Sequence, residues 1–137
     1  MQRPLQLQIE KFSGSPGAGL LRFVNETDRR VRIWDSGNSW GDAALLFELS
    51  LDGRVTKIVR WQRYTRNVPH SIEIPPRGAY EVSFDFGDGT WKADGPFDDR
   101  ARRRASLVAV YSPKDSPEAR SNDVWIGEVR SPAVSRV

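Results

Sequence analysis

Apolar and polar residues alternate with a period of two along most of the chain, the spacing of half-buried strands. In "LQLQIEKF", Leu5, Leu7 and Ile9 share one face, with Lys11 next in the same register, while Gln6, Gln8 and Glu10 share the other. "GSPGAG" reads as a loop. "LLRFVN" reads as a second strand ending at "NETD", where Asn25 and Asp28 can bond nearby backbone, and "RVRIW" as a third. The clearest hairpin is "ALLFELSL" and "RVTKIVRW" around Asp52-Gly53, a pair that supplies positive φ at low steric cost. "SIEI" is a short strand stopped by "PPRG". "AYEVSFDF" then sets Tyr80, Val82, Phe84 and Phe86 against Glu81, Ser83 and Asp85.

The last third is less regular. The stretch 87–104 has no period, and within it "FDDRARRRA" reads as a helical turn. "SLVAVYS" is apolar on both sides and predicts a central strand, "SPEARSND" a turn region, and "DVWIGEV" the last long strand. With no repeat or linker, the pattern predicts a single domain over 1–137. Its fold class is all-β: an immunoglobulin/fibronectin-like antiparallel β-sandwich of about eight to nine strands, with no convincing amphipathic helix.

Composition narrows the chemistry. A length of 137 residues with five Trp, three Tyr and six Phe is enough for one aromatic core. The absence of cysteine excludes disulfides, thiolate nucleophiles and Cys-ligated zinc. No apolar run reaches the length of a membrane span and the first residues carry no export signal, so the expectation is a cytoplasmic protein without a membrane partner. The net charge of +3 is mild, and Arg is spread through almost every segment, which argues against nucleic acid or another polyanion as partner.

Catalytic motifs are absent. The single histidine, His70, has no Gly-x-Ser-x-Gly elbow to serve, and it is expected at a strand edge. Asp85, Asp88, Asp94, Asp98 and Asp99 crowd one region but lack the ligand spacing of a calcium loop, so they are expected to make turns. No cofactor and no metal site is expected. "RARRR" forms a local cationic field, with the acids of "FDDR" beside it as competitors. What remains is aromatic and cationic together. Trp40, Trp61, Arg63, Tyr64, Arg66 and Trp91 are the candidate binding residues, in company with Arg32, Trp34 and Arg60, because Trp, Tyr and Arg are the usual interface anchors. The competing expectation is structural: Trp34 or Trp125 as the core indole, and Trp40 of "SGNSWG" folded back to cap the end of the core.

Gly37-Asn38-Ser39-Trp40-Gly41, Gly89-Thr90-Trp91 and Val124-Trp125-Ile126-Gly127 resemble uncharacterised bacterial immunoglobulin-like sandwich domains, a likeness covering most of the chain from about residue 20. That resemblance implies a fold and no established activity. A looser likeness is to the intracellular proteinase inhibitors of bacilli, in the order of Asn25 to Asp28, Val31 to Ile33, Ser36-Gly37 and Asp52 to Val55. No inhibitory loop carries over.

The expected function is therefore binding rather than catalysis: a protein-interaction module that recognises another protein through its Trp/Arg-rich loops and an edge strand, which could also pair two copies into a dimer. The alternative is an inhibitor or neutraliser of a protease or toxin that presents the 87–104 loop. A carbohydrate-binding module, and last an enzyme with paired carboxylates, complete the set.

Overall fold

A computed structural model describes residues 5–13, 17–35, 39–60, 69–95 and 98–135, without the side chains of 39, 99, 102 and 103. It is an all-β antiparallel sandwich, with eleven strands and three short helices among the described residues. One layer has the order β1-β2-β7, from β1 (Gln6–Ser13), β2 (Ala18–Val24) and β7 (Ala79–Asp85). The other runs β10-β9-β4-β5-β8, from β4 (Leu45–Leu51), β5 (Arg54–Arg60), β8 (Trp91–Ala93), β9 (Ser106–Tyr111) and β10 (Val129–Arg130), with β11 (Val134–Ser135) also on β9. A separate pair joins β3 (Val31–Trp34) to β6 (Ser71–Ile74).

That pair continues the β2–β7 ribbon around a corner. Val24 pairs with Ala79 and Val31 with Ile74, so β2 leads into β3 and β6 into β7 as two lengths of one antiparallel ribbon. Asn25 holds the bend. It is fully buried, and its Nδ2 donates to the carbonyls of Arg29 (2.6 Å), Ile74 (3.2 Å) and Pro75 (3.1 Å), while its Oδ1 accepts from Thr27 N and Oγ1. On the other arm Gly78 N donates to Pro75 O, which closes a turn with Arg77 at φ 60°.

The core is the set of inward positions of both layers. Leu5, Leu7, Ile9, Leu21, Phe23 and Phe84 face Phe47, Leu49, Ile58, Leu107, Ala109 and Tyr111. Phe47 sits at the centre of an aromatic group, with ring centroids 4.7 Å from Phe84, 5.0 Å from Phe86 and 5.4 Å from Trp91. The Asp52-Gly53 hairpin forms as its sequence dictates, both residues at positive φ (51° and 77°) and Leu51 paired with Arg54. Strand β9 is interior, with β4 on one side and β10 and β11 on the other.

Four local expectations are corrected. Lys11 does not join the buried face: the register shifts between Glu10 and Ser13 with Lys11 at φ 53°, a bulge that turns Lys11 outward and lets Phe12 pack against Phe84. "DVWIGEV" is not a long strand. Val124 makes only a parallel bridge to Arg32, Gly127 turns the chain at φ 151° beside the Trp125 ring, and pairing resumes at β10. "SPEARSND" contains α3 (Pro117–Ser121), started by Ser116, whose Oγ accepts from Ala119 N, and by Pro117 in the first turn. "SGNSWG" leads into α1 (Ser39–Ala44) rather than only a bend. Its close approach needs Gly41, since a Cβ there would lie 2.0 Å from the carbonyl oxygen of Asp35. The helical turn expected near "FDDRARRRA" is α2 (Asp99–Arg104), capped by Asp98 and burying Ala101.

The outer edge of the larger sheet is interrupted. Ser131 N donates to Ala109 O and Ser131 Oγ accepts from Ala109 N, after which three steps from Ser131 to Val134 match two from Ala109 to Leu107. The extra residue makes a bulge, and it contains Pro132. Among the described residues no helix is long and apolar enough to cross a membrane.

Candidate functional site

The six candidate binding residues divide three ways. Trp61, Arg63, Tyr64 and Arg66 lie outside the described residues. Trp91 is 8% exposed and sits in the core against Phe47 and Phe86. Its remaining face is covered by Arg60, whose guanidinium carbon stands 5.2 Å from the ring centroid while the same side chain reaches Thr90 Oγ1 (3.3 Å) and Asp88 (3.7 Å). The Arg-on-indole contact anticipated from composition is thus present, as a cover on the core. Trp40 is half-buried on α1 and stacks on Trp34, with centroids 5.9 Å apart and planes at 29°. Trp34 itself is 5% exposed and is a core indole.

Trp34 and Trp40 floor an open cleft of about 200 Å³, completed by Ala43 and Ala44 of α1 and by Ser112, Lys114 and Ser116 after β9. The walls are tied together, because Ser112 N donates to Ala44 O at 2.8 Å and Ser116 is committed to capping α3. Lys114 is exposed at the rim. Tyr111, one residue before Ser112, is buried, and its hydroxyl accepts from Trp34 N at 2.9 Å. Burial drives the Tyr111 hydroxyl well above the ordinary tyrosine range, with the Trp34 hydrogen bond opposing in part. Sequence reasoning missed Ser112, Lys114 and Ser116, since "SPKDSP" carries only turn residues and its place opposite α1 is a product of the β4–β9 pairing.

Near the cleft, β3 is followed by Asp35, whose N donates to His70 O and whose carboxylate meets His70 Nδ1 at 3.1 Å. Tyr80 is half-buried, and burial first and the Asp35 charge second raise its hydroxyl above the ordinary value. Arg32 Nε donates to Ser71 Oγ and its guanidinium pairs with Glu73, so Arg32 braces β3 to β6.

The acids of the 85–99 region make turns and caps. Asp85 Oδ1 accepts from Gly87 N, Asp88 Oδ1 from Thr90 N and Oγ1, Asp94 Oδ1 from Lys57 N, and Asp98 Oδ1 from Ala101 N. Among the described residues no group of three or more His, Cys, Asp or Glu is arranged to hold a metal ion. The 87–104 stretch, expected to be aperiodic apart from one helical turn, contains the short strand β8 as well as α2, and β8 pairs with β5. Of the "RARRR" cations, Arg100 and Arg104 are exposed.

Comparison of the chain with family models, with curated proteins and with solved structures finds no match.

Proposed function

We propose that the chain is a non-catalytic protein-interaction module built on an immunoglobulin-like sandwich, and that the Trp34–Trp40 cleft is where it grips a partner. The observation that carries this reading is the cleft itself. At about 200 Å³ it falls below the roughly 300–1,000 Å³ usual for small-molecule sites, and it suits a single inserted side chain. A half-exposed indole and a rim lysine are anchor chemistry: the ring offers apolar area, and Lys114 selects an acidic group beside the inserted residue.

The test is selection of peptides on the immobilised chain from a displayed library, followed by binding measurements with Trp40→Ala and Lys114→Glu. Selected peptides should share one apolar anchor next to an acidic residue. Trp40→Ala should weaken them at least tenfold, and Lys114→Glu should shift the preference away from acidic neighbours. A library without consensus, or full affinity in Trp40→Ala, overturns the reading.

A further inference from the structure

Strand β7 is the edge of its sheet, and the phase of its pairing can be fixed. Asn25 N donates to Gly78 O at one end of the β2–β7 register and Phe86 N to Gly17 O at the other. Residues that exchange bonds across an antiparallel pair recur every second position. Tyr80, Val82 and Phe84, with Gly78 O and Phe86 N at the two ends, therefore turn their backbone groups toward β2, while Ala79, Glu81, Ser83 and Asp85 turn theirs away.

Asp85 O is occupied by Asp88 N. Ala79, Glu81 and Ser83 are exposed, and their outward N–H and C=O groups have no partner among the described residues. Three successive outward positions make a ladder template about 14 Å long from Ala79 to Ser83, at about 3.4 Å per residue.

The side chains flanking that template define what it accepts. Toward the core, Tyr80 and Val82 are half-buried and line a small cavity of about 20 Å³ with Gly41 and Leu45, so an added strand finds apolar neighbours on that face. Toward solvent the row is acidic: Glu81 and Asp85 are exposed, and Arg22 answers Glu81 only at 3.9 Å. Opposite charges directly across a strand pair are favourable and like charges are not.

We infer that the β7 edge binds, by strand addition, an extended segment of a partner protein that alternates apolar residues facing Tyr80 and Val82 with basic residues facing Glu81 and Asp85. The inference rests on the reading of the chain as an interaction module but uses a different surface, so each can fail without the other.

The probe is the blocked heptapeptide TKVKVKT, with TEVEVET as its acidic counterpart, and the primary readout is hydrogen exchange of individual amides in the full chain. At saturation TKVKVKT should slow exchange at Glu81 and Ser83 at least tenfold and leave Tyr80 and Val82 nearly unchanged, because their N–H groups are already in the ladder. TEVEVET should bind at least tenfold more weakly. Ser83→Pro deletes one outward N–H without touching a β2 bond, and Glu81→Lys reverses the facing charge; each should reduce affinity at least tenfold. Trp40→Ala should bind the heptapeptide like the parent chain, which separates failure at this edge from failure at the cleft. Unchanged exchange at Glu81 and Ser83 under saturating peptide overturns the inference, as does equal affinity for both peptides. Protection of the same two amides that depends on protein concentration without peptide also overturns it, since the occupant would then be a second copy.

Discussion

The hydroxyl of Tyr111 on β9 accepts the backbone N–H of Trp34 on β3 at 2.9 Å, joining the larger sheet to the bent end of the other layer. On its opposite side β3 is already paired with β6, and Trp34 N faces away from that partner, so the phenol supplies the acceptor that a neighbouring strand would otherwise provide. Tyr111 also meets Phe23 edge to face at 5.2 Å and stacks on Trp125 at 6.3 Å.

Tyr111→Phe should therefore destabilise the fold by about 1–3 kcal/mol, the cost of a buried donor left unpaired. Urea unfolding monitored by tryptophan emission checks this. The alkaline side gives a second readout. The Tyr111 hydroxyl titrates higher in the fold than its ordinary value of 10.0, so its contribution is intact below pH 10 and is lost as pH rises above that value. The parent chain should lose stability steeply in that alkaline range, and Tyr111→Phe should lose less.

Asn25 is satisfied on both ends of its amide, and its environment distinguishes donors from acceptors. Asn25→Ala removes the amide donor from the carbonyls of Ile74 and Pro75, of which Pro75 O keeps Gly78 N, and should cost about 1–3 kcal/mol. Asn25→Asp turns a carboxylate oxygen toward those carbonyls and should cost more at neutral pH. The burden should ease on acidification, because a protonated carboxyl donates where the amide did. Thermal melts of the three proteins across pH 4 to 7 would check the order, which fails if Asp proves as stable as Asn at pH 7.

Gly41→Ala should unseat the cleft. The new Cβ meets the Asp35 carbonyl oxygen at 2.0 Å and its carbon at 3.0 Å, both backbone, so α1 must move. A cost of about 1–3 kcal/mol is expected, as in overpacked cores. A red shift of tryptophan emission should accompany it as the Trp34–Trp40 stack opens.

Arg77 occupies the left-handed region at φ 60°, while its guanidinium donates to Glu26 O (2.7 Å) and to Asp28 Oδ1 (2.9 Å). Arg77→Gly relieves about 1 kcal/mol of backbone strain and loses those bonds, so its stability should stay within about 1 kcal/mol of the parent. Arg77→Ala loses the bonds and keeps the strain. It should be the less stable of the two, an order that denaturant midpoints will reveal.

Where each side chain alternates against a single core, the sequence was enough to place it. Phe84 and Phe86 are buried, Leu5, Leu7 and Ile9 line the β1 face, and Asp52-Gly53 turns the hairpin. Legibility ended where one residue changes the count. The bulge at Lys11 leaves no mark in a polar-apolar string, because "EKFS" is compatible with either face. Ser116-Pro117-Glu118 was a readable helix start, hidden by the shortness of α3. The cleft was half legible: Trp40 announced itself among small residues, but Lys114 reaches it through a pairing of β4 with β9 more than sixty residues away in the chain. Trp91 was singled out for its chemistry alone, and pattern could not say that Phe47 and Arg60 would enclose it.

The interruption at Ser131 and Pro132 makes the flanks of the larger sheet unequal in what they permit. A strand arriving beside β10 would find its hydrogen-bond ladder broken by one surplus residue and by a nitrogen that carries no hydrogen. Copies of the molecule are thereby barred from stacking flank to flank on that side into an endless ribbon. A sandwich terminated in this way can be crowded in a cell without seeding fibres from that border.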